Sequence, residues 1–173
     1  RTFNDTPDGT FGQFVPAVPI QANEDGYLLL TGLAENLYYR TNLTLANFSD
    51  ELAVGVAIQV LDRNGQIIGE PVWTTIEAHS TTQILKIAEK AGILTDLDIF
   101  SLYVYLNDHA VSASASVVDN ATGDPVYLEA VDKAGPVFWV PGLARLDGAN
   151  DSVWRSDITF FNNTFDEMHT HFD

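Results

Sequence analysis

The stretch Val54-Gly-Val-Ala-Ile-Gln-Val-Leu-Asp-Arg-Asn-Gly-Gln66 decides the fold class of this chain. Its first half places an apolar residue at every second position, which is the spacing of a half-buried β-strand and not of a helix. Asn64-Gly65 then gives a strong hairpin signal, because both residues tolerate a positive φ. A returning strand is predicted over 66–76, where Pro71 indicates an edge strand or a bulge. The segment therefore predicts an antiparallel β-hairpin.

The same alternation continues on both sides of this hairpin. Further strands are predicted at 37–47, 98–106, 110–118 and 126–131. Seven apolar side chains on these faces are predicted to lie in the core: Leu43, Leu45, Val56, Ile58, Leu102, Val104 and Val117. Only 83–91 has helical spacing, with Gly92 as its C-cap, and strand plus turn is the alternative there. Seven or eight strands separated by turn signals predict an all-β, antiparallel, immunoglobulin-like β-sandwich.

The chain also repeats itself. Segment 39–47 returns at 154–162, and a Gly-Leu-Ala stands shortly before each copy. The offset is about 115 residues, the size of one small β domain. We therefore expect closing strands of one repeat at 1–19, a complete repeat at 20–133 and opening strands of another at 134–173. On this interpretation the chain is a fragment of a longer protein.

The partial repeats at the two ends predict unpaired strand edges. Because it matches 39–46, segment 154–161 is predicted to be a strand with Trp154, Ile158 and Phe160 turned inward. Such a strand needs a hydrogen-bonding partner. We predict pairing with the 1–19 segment, either within one chain or between neighbouring chains.

Composition narrows the classes of partner. The formal net charge is −16, with 24 acidic residues against 8 lysines and arginines. Such a surface repels nucleic acid and anionic lipid, so we expect no nucleic-acid partner. No apolar run approaches the ~20 residues of a membrane helix, so no membrane insertion is expected. The chain has no cysteine, which excludes disulfides and thiol chemistry.

Three groups of residues carry a family resemblance. They are Arg1 to Ala17, Tyr39-Arg-Thr-Asn-Leu43, and Ala115 to Asn120 with Gly123-Asp-Pro125. Together they resemble a tandem β-sandwich repeat of large secreted or cell-surface bacterial proteins, a family without a settled function. The resemblance covers most of the chain and implies an extracytoplasmic β-sandwich with no catalytic residues.

Acidic turns supply the candidate metal ligands. Asp5 and Asp8 lie in one such turn, and Asp119 and Asp124 lie in another. Calcium prefers six to eight hard oxygen ligands, which Asp- and Asn-rich turns provide. The same residues also favour turns for backbone reasons alone. Calcium is thus the one candidate cofactor, and the four carboxylates are its candidate ligands.

The remaining candidate sites are weaker. Exposed aromatic side chains on a sandwich stack sugar rings, and the candidates are Tyr38, Trp73, Tyr103, Tyr105 and Trp139. No nucleophile motif accompanies the four histidines at 79, 109, 169 and 171, so we predict that the chain is not an enzyme. Asn-x-Ser/Thr glycosylation sequences occur at Asn4, Asn42, Asn47, Asn120, Asn150 and Asn162.

These observations predict a non-enzymatic, extracellular structural or adhesive module of a secreted bacterial protein. One alternative is a subunit of an extracellular filament, assembled by β-strand exchange between chains. Another is a glycan-binding accessory domain of an exported hydrolase. The expected partners are neighbouring repeats or other copies of the chain, joined through strand edges, and glycans.

Overall fold

The structure is a computed structural model, and it describes residues 2–6, 9–17, 26–107, 110–132, 143–148, 153–162 and 167, with only the backbone at 2–6 and 9–11. The chain divides into two compact units, Arg1–Asp132 and Lys133–Asp173. The elements are β1 (Thr2–Thr6), β2 (Gly9–Gln13), β3 (Tyr27–Glu35), β4 (Tyr39–Asn47), β5 (Val54–Leu61), β6 (Ile67–Ile76), β7 (Thr81–Ile84), α1 (Ile87–Lys90), β8 (Leu97–Leu106), β9 (Val111–Asp119), β10 (Pro125–Glu129), β11 (Arg145–Asp147) and β12 (Val153–Arg155).

The first unit contains two four-stranded antiparallel sheets. Their strand orders are β3-β8-β5-β6 and β10-β9-β4-β7. A smaller antiparallel pair joins β1 to β2. After β10 the chain crosses to the other sheet, because Val131 exchanges two backbone hydrogen bonds with Leu29. The all-β, antiparallel class predicted from alternation is confirmed.

The predicted alternating faces form one hydrophobic core, to which both four-stranded sheets contribute. Six of the seven side chains predicted to lie there are buried: Leu43, Leu45, Val56, Ile58, Leu102 and Val104. The prediction for Val117 is wrong, since this side chain is only half-buried and packs against the core from its margin. Its ladder partner on one side is Val126 of edge strand β10, which lies largely in solvent.

The β5–β6 hairpin differs in detail from the two-residue turn that Asn64-Gly65 suggested. The Asp62 N–H donates to Gln66 O at 2.8 Å, and the Gly65 N–H donates to Asp62 O at 3.0 Å. Only Gly65 has a positive φ. The loop therefore has three residues, the next commonest hairpin class. The Asp62 carboxylate accepts the backbone N–H groups of Gln66 and Asn64, and the Gln66 bond does most to lower the pKa of Asp62.

Strand β6 lies at a sheet edge and carries a bulge, as Pro71 predicted. Ile58 pairs with Val72 and Val60 with Ile68, so Gly69, Glu70 and Pro71 lie opposite Gln59 alone. The bulge contacts the end of the helix, because the Glu70 N–H donates to Ala91 O at 2.8 Å. The extra residues bend the edge strand locally.

The helix predicted over 83–91 is shorter than expected. Residues 83–84 belong to β7, and α1 spans only Ile87–Lys90. Lys86 at its start has φ 52°, which separates strand from helix. The Glu35 carboxylate then accepts the N–H groups of Ala88 at 3.3 Å and Glu89 at 2.8 Å. A cap from a distant strand therefore satisfies the N-terminus of this single turn.

The buried side chain of Asn47 forms hydrogen bonds that connect three segments of the first unit. Its side-chain amide donates to Leu52 O at 2.8 Å and to Ile76 O at 2.9 Å, while its Oδ1 accepts the Ser49 N–H at 2.9 Å. The residue is 2% exposed. The amide nitrogen of this glycosylation sequence is thus fully used within the fold.

In the second unit, the strand predicted at 154–161 is wrong in extent, while its pairing with the 1–19 segment stays a prediction. Strand β12 ends at Arg155 and pairs with β11, so that Leu146 lies opposite Trp154. Trp154 is 61% exposed, and Ile158 and Phe160 are also exposed, not turned inward. The three-residue ladder is too short to bury an apolar face of its own.

Candidate functional site

An aromatic row crosses the side of sheet β3-β8-β5-β6 that faces away from the core. Tyr27 lies opposite Tyr105, Tyr105 opposite Ala57, and Ala57 opposite Trp73, so one ladder runs through all four strands. Their sequence neighbours on these strands, such as Leu28 and Val104, point into the core. Because strand side chains alternate between faces, the row projects outward. The candidate site is this row and the groove within it.

The tyrosines form a packed cluster on one side of the row. The rings of Tyr27 and Tyr103 lie 5.4 Å apart, edge to face, and those of Tyr103 and Tyr105 lie 5.7 Å apart. Burial raises the pKa of Tyr103, and proximity to Tyr27 and Tyr105 raises it further. The Tyr103 phenol therefore stays neutral at physiological pH.

A groove of about 380 Å³ lies at the Trp73 side of the row. Its described lining consists of Gly55, Ala57, Ile58, Gln59, Pro71, Trp73, Tyr105, Leu106 and Asn107. Gly55 and Ala57 of β5 lie between the strands that carry Tyr105 and Trp73. Because Gly55 has no side chain and that of Ala57 is a single methyl group, space remains there. Trp73 is 75% exposed and Tyr105 is 44% exposed. Two aromatic side chains thus flank a low floor, and none of the described lining residues is charged.

Two amide side chains add hydrogen-bonding capacity to this apolar lining. Asn107 Oδ1 accepts the Gly55 N–H at 3.0 Å, which orients the amide beside the groove floor. Gln59 Nε2 is buried and has no hydrogen-bond partner among the described residues. Buried donors without a hydrogen-bond partner are rare in native proteins, so Gln59 differs in this respect from an ordinary buried amide.

The local sequence explains why the groove forms at β6. Gly69 adopts φ +68°, which permits the bulge opposite Gln59. Pro71 follows and supplies no backbone donor, which suits an edge strand. Regular pairing resumes after the bulge, and Trp73 lies opposite Ala57. The bulge therefore places Pro71 and Trp73 together along one wall of the groove.

The structure brings together three of the five aromatic residues proposed from sequence, Trp73, Tyr103 and Tyr105. Tyr38 lies in the turn between β3 and β4, and Trp139 lies outside the described residues. Sequence reasoning missed Tyr27, Gln59 and Asn107. Alternation placed Gln59 on a strand, whereas no strand was predicted at Tyr27–Glu35, and only the cross-strand register shows which residues become neighbours.

The calcium candidates are only partly described. Asp119 Oδ1 accepts the N–H groups of Ala121 at 2.8 Å and Thr122 at 2.9 Å, and the bond from Thr122 is the main cause of its lowered pKa. The Asp119 N–H in turn donates to the backbone oxygen of Asp124 at 3.0 Å. The Asp5 backbone lies in β1, while the Asp5 side chain and all of Asp8 lie outside the described residues. Within the described ranges, no three His, Asp or Glu side chains cluster as a metal site, and calcium binding stays a prediction.

Of the histidines, only His79 is described. Its Nε2 lies 3.1 Å from Asp50 Oδ1, and both side chains are largely exposed. His109, His169 and His171 lie outside the described residues.

A second groove, of about 580 Å³, lies along edge strand β10. Its described lining comes from residues 12–16 and from β10 itself. Gln13 Nε2 donates to Ser116 Oγ at 2.8 Å, which fixes the 12–16 segment beside the sheet. Phe14 and Val126 of this lining are exposed.

Comparison with known proteins identifies no family. No protein-family model matches the chain, and no curated protein matches it. Among solved structures, a Thermotoga maritima protein titled "Crystal Structure of Thermotoga maritima 1070" aligns with a TM-score of 0.46 and 16% identity. The alignment covers 61% of this chain and 89% of that one. Among the described residues, no helix is both long and apolar enough to cross a membrane.

Proposed function

We propose that the chain is a non-enzymatic, extracellular adhesive module of a secreted or cell-surface bacterial protein, built as an immunoglobulin-like β-sandwich. The observation that carries this proposal is the exposed aromatic groove between Tyr105 and Trp73. A concave apolar lining with a few convergent polar groups is the usual form of a binding site. Exposed contiguous aromatic surface in a soluble domain likewise points to a binding partner.

The scaffold supports a binding role. The side chains of the row stand on paired strands whose opposite faces pack into the core, and not on loops. Sites on regular elements are held more rigidly than sites on loops, so less ordering is needed on binding. The chain's net charge of −16 suits a soluble surface module.

The proposal is tested by attachment to surfaces. Fluorescently labelled chain is incubated with bacterial cell walls, with insoluble polysaccharides and with immobilised extracellular-matrix proteins. We expect retention on at least one surface, and a loss of that retention in Trp73→Ala. Trp154→Ala is the matched control, because it removes an exposed tryptophan from the second unit. Retention that is absent everywhere, or that survives Trp73→Ala unchanged, refutes an adhesive role for this face.

A second candidate, the filament subunit, is favoured by a separate observation. Strand β10 is a sheet edge, and the groove between it and residues 12–16 is lined by exposed apolar side chains. Open edges accept strands from other chains. Light scattering of the intact chain should then show concentration-dependent growth, and Val126→Lys on this edge should suppress it. Monodisperse monomers at high concentration would reject the filament.

The third candidate is an accessory domain of an exported hydrolase, and it shares the aromatic site with the adhesive module. The sequence of the gene distinguishes the two. A catalytic domain encoded in the same reading frame supports the accessory role, whereas many tandem repeats of about 115 residues support the adhesive module.

A further inference from the structure

We infer that the ligand of the Tyr105–Trp73 groove is a neutral glycan, whose pyranose rings stack on these two aromatic side chains. This inference rests on the proposed binding function and specifies its ligand class. Three properties of the groove carry it: the absence of charge in its described lining, the spacing of its aromatic side chains and the exposed amide of Asn107.

The charge of the site selects a neutral ligand. The nine described residues that line the groove include no Asp, Glu, Lys or Arg. The chain as a whole carries a net charge of −16, which disfavours the approach of an anion. A cationic ligand would need a carboxylate in the lining, and the described lining offers none. Hydroxyl-rich, uncharged rings satisfy both conditions.

The spacing of the aromatic residues fits alternate rings of a chain. Tyr105 and Trp73 occupy one ladder and are separated by strand β5, so their Cα atoms lie about 9–10 Å apart, or two strand spacings. In an extended chain of linked pyranose rings, every second ring recurs at a similar interval. Ala57 lies between the two positions, and its small side chain leaves room for the ring between the two stacked ones.

The Asn107 amide meets the other requirement of a sugar, which is hydrogen bonding to hydroxyl groups. Asn107 is exposed and is oriented by its bond from the Gly55 N–H, which leaves its Nδ2 without a partner among the described residues. Gln59 Nε2 is buried, so it does not face the ligand. Hydroxyls both donate and accept, so they match an amide side chain in either orientation.

A peptide partner fits the same face less well. An extended peptide binds a sheet by adding a strand to its edge, where main-chain groups are open. The groove instead lies on the face of the sheet, between Tyr105 of β8 and Trp73 of β6, and not along the open main-chain edge of β6. A protein ligand is therefore an alternative outcome of the test.

Affinity electrophoresis tests the inference on the whole chain, which migrates readily because of its charge. Native gels are cast with soluble neutral polysaccharides, namely hydroxyethyl cellulose, xyloglucan, glucomannan and mixed-linkage β-glucan. A gel with polygalacturonate supplies the anionic comparison. We expect retardation in at least one neutral gel and none in the polygalacturonate gel.

The variants locate the site. Trp73→Ala and Tyr105→Ala should each weaken the retarding interaction by about tenfold or more, equivalent to about 1.4 kcal/mol. Asn107→Ala should weaken it less. Trp154→Ala and Tyr38→Ala remove exposed aromatic residues elsewhere and should bind as the unmodified chain does. Thermal unfolding of each variant shows whether it is folded, and the exposure of Trp73 predicts that its alanine variant is.

Each other outcome overturns the inference. Retardation that survives Trp73→Ala and Tyr105→Ala shows that the glycan binds elsewhere. Retardation only in polygalacturonate refutes a neutral ligand. If no gel retards the chain and Trp73-dependent retention occurs only on the immobilised matrix proteins, the ligand is a protein and the adhesive function stands. If both assays are negative, the adhesive function fails as well.

Discussion

Gly65 and Gly69 form a matched pair for testing the packing that shapes the groove. Both lie on the β5–β6 hairpin, with φ of +75° and +68°. A Cβ at position 65 would meet nothing within 4 Å, whereas at position 69 it would lie 2.6 Å from Ala91 O and 2.8 Å from Ile93 Cγ1. Substitution by alanine therefore imposes the same backbone strain at both positions but a steric overlap at only one.

The magnitudes follow from these distances. A left-handed backbone conformation costs a non-glycine residue roughly 1–2 kcal/mol. Alanine also lowers the conformational entropy of the unfolded chain, which offsets about 0.4–1 kcal/mol of this cost. Gly65→Ala should thus lower the free energy of unfolding by about 1 kcal/mol. Gly69→Ala adds an overpacking cost of about 1–3 kcal/mol. Relief of the overlap also strains the Glu70 N–H bond to Ala91 O, which is worth about 1 kcal/mol. We expect a total of about 3–5 kcal/mol for Gly69→Ala.

Guanidinium and thermal unfolding of both variants, followed by circular dichroism, measure this difference. The gap of about 2–4 kcal/mol should separate the two melting temperatures by roughly 5–15 °C. Equal stabilities would show that the bulge does not approach Ala91 and Ile93 closely. The reasoning about how β6 presents Trp73 would then fail too.

The remaining predictions concern the core, a buried amide and two acidic turns. Leu102→Asp places an unpaired charge among fully buried side chains and should prevent folding, so a soluble variant that melts cooperatively would contradict the strand phase. Asn47→Ala leaves the backbone groups it bonds without partners and should cost about 3 kcal/mol in urea unfolding, whereas the exposed control Asn64→Ala should cost about 0.5 kcal/mol or less. Asp62 and Asp119 have pKa values below the ordinary 3.8, so their stabilisation is complete above that value and is lost as the pH falls through the lowered pKa. The double variant Asp62→Asn, Asp119→Asn should therefore lose less stability on acidification than the unmodified chain, and an equal loss would refute this account.

Strands β4, β5, β6, β8, β9 and β10 of the first unit were predictable because their apolar residues alternate, whereas β3 was missed because apolar Leu28, Leu29 and Leu30 follow one another. The strands Val54 to Val60 and Phe100 to Val104 pack against the core on one face only. Because side chains alternate, only one assignment of inward and outward residues fits each strand. The short helix was harder to place, since residues 83–91 combine a strand, a left-handed Lys86 and one helical turn. Its cap comes from Glu35, which no local pattern reveals.

The sequence repeat misled at the second unit. Segment 154–162 resembles 39–47 in residue type, yet β4 pairs with two strands and has a core beneath it, whereas the pairing of β12 within the described residues is with the three-residue β11. Similar local sequences have similar strand propensity, but they do not determine which neighbouring strands are present to stabilise a strand. For the same reason the aromatic candidates were predictable singly, while the Tyr27–Tyr105–Ala57–Trp73 ladder required the register.

The burial of Asn47 has a consequence for biosynthesis. Asn47-Phe-Ser49 is an acceptor sequence for N-linked glycosylation in cells that carry out this modification. Since the folded unit encloses the amide nitrogen, a sugar can be attached only to the nascent chain, and its attachment then disrupts the hydrogen bonds that this nitrogen donates to Leu52 O, Ile76 O and Glu77 O. Production in a glycosylating host should divide the chain into a folded, unmodified fraction and a modified fraction that cannot fold. Ser49→Ala would prevent that division at the cost of the single hydrogen bond that the serine hydroxyl accepts from the Leu52 N–H.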